Sequence, residues 1–280
     1  MFTILASLAL LAVLALSIGL VRERRANAQL IRSLLAAPRT PTAAVANLDQ
    51  LDSLPAPVAR YLRHVLREGQ RPIVTARVRQ VGEIRTDISS DRWFPFEASQ
   101  LIVPAAHGFV WSARVRMAPL LHVRVHDAYV AGQGSGRVSL LSAVRMAGAS
   151  GQPEINAASL HRFLAESPWY PTALLPSPAL EWSPIGDTRA LATLTDAGTT
   201  VSLEFHFNEA GEVTGIHTPG RWMRSGGEYV QEPWEGCFRN YQERDEMLVP
   251  AEGDVGWHIS GEWQPVWRGS TVEVSYTFDP

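Results

Sequence analysis

"TVSLEFHFNEAGEVTGI", residues 200–216, alternates. Val201, Leu203, Phe205 and Phe207 take every second position, with Ser202, Glu204 and His206 between them. Successive side chains of a strand point to opposite faces, so this is a strand with one apolar and one wet face. Asn208 to Gly211 supplies turn residues, and the whole reads as a hairpin. The same rhythm recurs outward in both directions. "TARVRQVGEIR" (75–85) sets Ala76 and Val78 against Arg77 and Arg79. "FVWSARVRM" (109–117) sets Phe109, Trp111, Ala113, Val115 and Met117 against Ser112, Arg114 and Arg116. "LHVRVHDAYV" (121–130) sets Val123 and Val125 against His122, Arg124 and His126, and "TVEVSYTF" (271–278) closes the chain. Alternation broken by short turns predicts an antiparallel sheet.

Two segments depart from that period. "LDSLPAPVARYLRHVLREG" (51–69) puts Val58, Tyr61, Leu62, Val65 and Leu66 on one helical stripe. Asp52 or Ser53 is the expected cap, Pro55 or Pro57 suits the first turn, and Gly69 stops the helix. Between the strand groups, a second helix runs from about Pro153 to Ser167, ended by Ser167-Pro168. The expected class is mainly β (α+β). A curved antiparallel sheet, a half-barrel, holds helices near 55–67 and 153–167 on its concave side.

Residues 2–21, "FTILASLALLAVLALSIGLV", carry no charge. About 20 apolar residues are enough for one transmembrane helix. No Lys or Arg precedes the run, and the one A-x-A (Ala26-Asn27-Ala28) lies beyond "RERR", which disfavours a cleaved signal peptide. No Cys follows for lipid attachment. The expectation is a retained anchor with a helical extension over 1–37, a linker over 38–50, and one globular domain over 51–280. The site would be a bacterial inner membrane. Arg22, Arg24 and Arg25 flank the span, so the positive-inside rule favours a cytoplasmic domain, though one short span leaves the side open.

The chain of 280 residues is 46% hydrophobic and 19% charged, enough to bury a core. Net charge is -3, which argues against a nucleic-acid partner. All 25 basic residues are Arg. Cys237 is alone, so no internal disulfide forms.

"ASLHRFLAESPWYPTALLP" (158–176) is the strongest candidate for chemistry. His161 and Glu166 could act as a base and its orienter, with Arg162 beside them. No Ser or Cys nucleophile is placed with them by spacing. Arg162 and Glu166 stand four apart, which predicts a surface pair that fixes the corner. Arg77, Arg79, Arg114, Arg116, His122, Arg124 and His126 alternate with apolar residues. They form either a solvated face balanced by Glu83, Glu97 and Asp127, or a patch for phospholipid head groups or an anionic ligand. "GQGSGR" (132–137) lacks the dinucleotide fingerprint, and glycine in a turn explains it. His122 and His126 stand about 13 Å apart along a strand, too far to share an ion. No metal and no cofactor is expected. The nine Trp either fill the concave side of the sheet or line a cavity for an apolar ligand.

"LPAPVARYLRH", "WFPFEASQ" with "GFVWSAR", "HRFLAESPWYPTALLP" and "EPWEGCFRNY" resemble a bacterial family known only as a domain of unknown function. The resemblance covers about Leu54 to Tyr276. It implies a membrane-tethered protein and carries no catalytic residues. In architecture the chain is also similar to the LolA/LolB lipoprotein carriers, curved sheets that hold acyl chains around helices. The leading expectation is a non-catalytic binder of lipid or another apolar ligand. Trp111, Trp169, Tyr170 and Trp234 would line its pocket, with Arg114 and Arg116 at the rim. Membrane lipid is the expected partner, and protein partners stay unassigned. The rivals are a membrane-associated hydrolase using His161, Arg162 and Glu166, and an envelope scaffold without ligand. Binding calls for an apolar cavity of roughly several hundred Å³.

Overall fold

The structure is a computed structural model. It describes the backbone of residues 2–40 and 48–278; the side chains of 2–6, 8, 9, 12 and 48–50 are not among those described. Most of the expected linker at 38–50 therefore lies outside the described residues, and the expected anchor at 2–21 lies partly outside them.

The chain opens with helix α1 (Phe2–Leu35) and helix α2 (Ala56–Val65). Six strands follow: β1 (Ile73–Ile84), β2 (Phe94–Val103), β3 (Gly108–Ala118), β4 (Leu121–Val130), β5 (Gln133–Leu140) and β6 (Val144–Ser150). Helix α3 (Pro153–Ala165) comes next. Seven more strands complete the chain: β7 (Leu180–Gly186), β8 (Arg189–Asp196), β9 (Thr199–Phe207), β10 (Val213–Ser225), β11 (Glu228–Arg244), β12 (Met247–Ile259) and β13 (Glu262–Phe278).

All 13 strands join one antiparallel sheet in the order β6-β5-β4-β3-β2-β1-β13-β12-β11-β10-β9-β8-β7. Two meanders, β1–β6 and β7–β13, meet where the first strand pairs with the last. Helix α3 links the two outer edges. It packs on β3, β4 and β5 from one meander and on β9 and β10 from the other. Strands so far apart in one sheet touch the same helix only if the sheet curls around it. The result is a half-barrel, mainly β, with α3 inside.

The curl has a local cause. Register shifts between Arg79 and Gln80, and between Val255 and Gly256, act as bulges that sharpen the twist. Gly82, Gly269 and Gly253 pair in a row across β1, β13 and β12. A Cβ on Gly82 would stand 2.1 Å from the Arg268 carbonyl oxygen, so the strands approach there only because the side chain is missing.

Val78, Gln100, Trp111 and Asp127 lie in one cross-strand row on the concave side. Arg77, Leu101, Val110 and Ala128 form the neighbouring row on the convex side. Leu34 and Ala37 bury against Leu101, Val110 and Ala128, so the second half of α1 covers the convex face. Glu23 reaches Arg137 at 3.0 Å and His126 at 3.7 Å, and accepts a hydrogen bond of 2.8 Å from Ser139. Part of the expected basic face is thus met by the leading helix. Asp127, expected to balance that face, is on the opposite side of β4.

Pro55 occupies the N-cap of α2 and no side chain caps it, so neither Asp52 nor Ser53 does. Asp52 instead pairs with Arg63 at 2.5 Å. The helix ends at Val65, before Gly69, when Leu66 turns extended. Among the described residues, no helix is long and apolar enough to cross a membrane.

Candidate functional site

The sheet and α3 enclose a cavity of about 210 Å³. That is smaller than the expected several hundred Å³, and limits what it holds to something slender. Its walls are mostly apolar. Trp111 of β3, Trp169 beyond α3, Trp234 of β11, Trp257 of β12 and Trp267 of β13 supply five indoles. Phe238 and Ile216 lie among them. The aromatics contact one another: Trp169 meets Phe238 edge to face at 6.0 Å and 90°, while Trp169–Trp267 and Trp234–Trp257 are tilted pairs. Such contacts fix ring positions more tightly than apolar burial alone.

One wall is polar and is built from the α3 C-terminus and the row on β2 to β4. Arg162 donates to Glu166 and to Asp127, each at 2.7 Å. Its guanidinium lies 4.6 Å from the Trp111 ring centre. Gln100 donates to the second Glu166 oxygen at 2.6 Å, and Trp111 donates to Gln80 at 2.9 Å. Burial alone would lower the Arg162 pKa, but Glu166 and Asp127 overcome it and hold the value above normal. The Arg162–Glu166 pair expected on the surface is therefore enclosed, with 18% and 13% of the side chains exposed. Removing one member of such a pair strands the other's charge.

Arg221 of β10 is the second arginine at the cavity, and it lacks such partners. It enters where Pro219 and Gly220 shift the register between Thr218 and Arg221. Its guanidinium lies 4.5 Å from the Trp234 ring centre and 5.2 Å from that of Trp257. Nη2 donates to the Ala158 carbonyl at 3.0 Å. Its Nε is buried with no hydrogen-bond partner. Among the described residues no carboxylate forms an ion pair with it. Burial, then the nearby Arg162 charge, pushes its pKa down to about 10 despite Asp127 and Glu166.

The other expected site residues divide. Trp111, Trp169 and Trp234 come together at the cavity. Tyr170 does not: it is fully buried, and its hydroxyl donates to the Phe163 carbonyl inside the corner. Arg114 and Arg116 do not rim the cavity; they are exposed on the convex face, because their parity along β3 is opposite to that of Trp111. His161 is separated from Glu166. It is 6% exposed and turned to β9, where Nε2 stands 3.3 Å from the Ser202 carbonyl. Burial, then Arg221, lowers its pKa to about 4, so it is neutral at pH 7. Cys237, at the cavity's edge, has its pKa raised to about 11 by burial and by Asp254 and Glu235. That is a poor thiolate. Among the described residues no cluster of His, Cys, Asp or Glu could hold a metal ion.

Arg221, Trp257 and Trp267 were not singled out by the sequence. Trp257 and Trp267 differ in no local way from the other indoles. Arg221 follows a Pro-Gly pair, and that was the one available signal of a bulge that redirects a side chain.

A curled antiparallel sheet around a helix, with an aromatic cavity, defines the class. The chain belongs to the family of unknown function DUF6544, whose model matches residues 43–269. No curated protein matches it in sequence. Solved structures with a similar course of chain include a domain assigned to outer membrane lipoprotein sorting from Vibrio parahaemolyticus. It is 9% identical, with 82% of this chain and 92% of that one covered at a TM-score of 0.41. A DUF1329 family protein from Desulfovibrio piger is 10% identical, covering 82% and 88%, also at 0.41. A LolA superfamily protein from Nitrosomonas europaea is 6% identical, covering 84% and 96% at 0.33. These likenesses are of chain course alone, and the cavity's own residues decide what it holds.

Proposed function

We propose that this protein is a membrane-tethered, non-catalytic binder of a lipid or another apolar ligand, held in the concave cavity. The observation that carries this reading is the cavity itself. Five indoles and Phe238 give it apolar walls, and a few polar groups sit at one end. Apolar walls with few convergent polar groups are the usual form of a small-molecule site. Catalysis has less support, because His161 and Glu166 lie on different sides of α3 and the one thiol is held protonated.

The tether reading rests on residues 2–21 and on what lies near them. Leu10, Leu11 and Val13 of α1 are 60–70% exposed. Gly19 crosses the β5–β6 turn so closely that a Cβ there would stand 2.4 Å from the Ala143 carbonyl oxygen. Near that crossing Val144 and Met146 are exposed, and Leu120, at the β3–β4 turn, is 94% exposed. Arg114 and Arg116 stand on the strand leading to Leu120. Apolar tips beside arginines suit an anionic lipid surface. Arg22, Arg24 and Arg25 favour the cytoplasmic side by the positive-inside rule.

Native mass spectrometry of the full chain in a mild detergent tests the binding. The expected spectrum contains a protein peak carrying one lipid-sized mass. A chain that is ligand-free as purified, and takes up no added lipid, overturns the reading. Alkaline washing of membranes tests the tether: the chain should stay in the pellet.

A further inference from the structure

The cavity holds two arginines with different circumstances. Arg162 has two carboxylates at 2.7 Å, so its charge is already met. Glu166 spends its other oxygen on Gln100. Asp254, also at the cavity, pairs with Arg239 at 2.6 Å. The carboxylates nearest Arg221 are therefore engaged elsewhere. Arg221 keeps one donor on the Ala158 carbonyl and an unsatisfied buried Nε. The rings of Trp234 and Trp257, tilted 52° to each other, both lie close to its guanidinium. A charge so enclosed, without a counter-ion, is costly unless something completes it.

We infer that Arg221 is the head-group receptor of the cavity, and that the ligand is an anionic amphiphile with a carboxylate or phosphate on Arg221 and its apolar chain among the indoles. This rests on the binding function proposed above and adds the ligand's chemical class. A planar guanidinium pairs with either oxyanion through two parallel N–H donors. The neighbouring Arg162–Asp127–Glu166 cluster has one positive and two negative groups; both carboxylates bond Arg162 and Glu166 also accepts from Gln100, so its one net negative charge is held by donors other than Arg221. Such an ion pair inside an apolar wall discriminates strongly against the same chain with an uncharged head, because a neutral head leaves Arg221 unpaired.

The test uses the full chain in an uncharged sugar-headed detergent and native mass spectrometry. The probes are decanoate, decyl phosphate and decanol at matched concentrations. Wild type should bind at least one of the two anions on the order of tenfold or more tighter than decanol. Preference for decanoate points to a fatty acid as the source, and preference for decyl phosphate to a phosphorylated lipid. Arg221→Gln should lose the preference while retaining decanol, and Arg221→Lys should keep part of it. Arg79→Gln, at an exposed arginine paired with Glu273 and away from the cavity, should behave as wild type. Equal binding of anions and decanol by wild type overturns the head-group role and leaves the apolar cavity standing. No binding of any probe overturns both. The wild-type comparison decides even if Arg221→Gln does not fold.

Discussion

Tyr129 donates a 2.8 Å hydrogen bond to Asp196, joining β4 to the end of β8 across the mouth of the curled sheet. His107 stands 3.0 Å from the other Asp196 oxygen. The strands concerned lie near opposite edges of the sheet order, so this contact closes one end of the half-barrel. The turn after β4 meets the turn after β8 at the same place, where a Cβ on Gly132 would stand 2.4 Å from the Ala197 Cβ. Tyr129→Phe and Asp196→Asn should each cost on the order of 1–3 kcal/mol in thermal or denaturant unfolding. The double variant should lose less than the sum, since one interaction is shared.

Acid should open the same latch. Burial pushes Asp196 up, but the hydrogen bonds from His107 and Tyr129 more than offset it and leave its pKa below normal. A depressed carboxylate contributes stability that is complete above its unfolded value, about 3.9, and is lost as pH falls through the folded one. Wild type should lose stability below about pH 4 faster than Asp196→Asn does. Parallel pH profiles for the two proteins would refute the latch.

Histidines act in a higher window. Burial is the first cause that brings both His126 and His161 down to about 4, with Arg137 and Arg221 adding to it respectively. The unfolded chain takes up those protons near pH 6.5 while the folded one refuses them. Stability should therefore decline as pH falls from about 6.5 to 4, by on the order of 1–2 kcal/mol per histidine. His161→Gln should flatten that decline in melts recorded at pH 7 and 5. It should leave ligand binding unchanged, which a binding role for His161 would not allow.

The sheet was legible because alternation is local. Val201 to Phe207 face inward as their spacing requires, and α3 begins at the proline that marks it. Asp127 was legible too, in principle. It shares parity with Val123 and Val125, so the rhythm itself puts it on the concave side, away from His126. Arg162 and Glu166 were not. On a helix with Leu160, Phe163 and Leu164 as its apolar stripe, a polar flank reads as solvent-facing. Here the sheet wraps the helix on several sides, so the flank is enclosed as well. The convex seat of α1 was equally hidden, because Glu23 looks like one charge among arginines until Arg137 and His126 are brought under it by strand pairing.

Curvature gives the next prediction. Gly82→Ala would put a methyl 2.1 Å from the Arg268 carbonyl oxygen, which belongs to backbone that cannot swing aside. Overpacking of this kind costs roughly 1–3 kcal/mol. Gly198→Ala serves as the contrast: its φ is +80°, yet nothing crowds the position, so only the backbone penalty of about 1 kcal/mol should appear. If both variants melt alike, the glycine row has no part in bending the sheet. A larger loss for Gly82→Ala, with weaker ligand uptake, is the expected result, since a flatter sheet widens the gap between Trp111 and Trp267.

Glu23 is expected to fasten the leading helix to the barrel. Its carboxylate is 12% exposed and faces Arg137 and His126, with Ser139 donating to it. Glu23→Gln keeps the size and the Ser139 hydrogen bond but removes the charge. Arg137 is only 17% exposed and would be left facing a neutral group. The cost should be roughly 1–3 kcal/mol, confined to the contact between α1 and the convex face. Hydrogen exchange should rise in residues 23–35 and in β4 and β5, while β9 to β12 remain as protected as before. The His126 pKa should fall further, because the Glu23 charge that raises it is gone. Unchanged exchange at 23–35 would mean that Leu34 and Ala37 hold the helix by apolar packing alone.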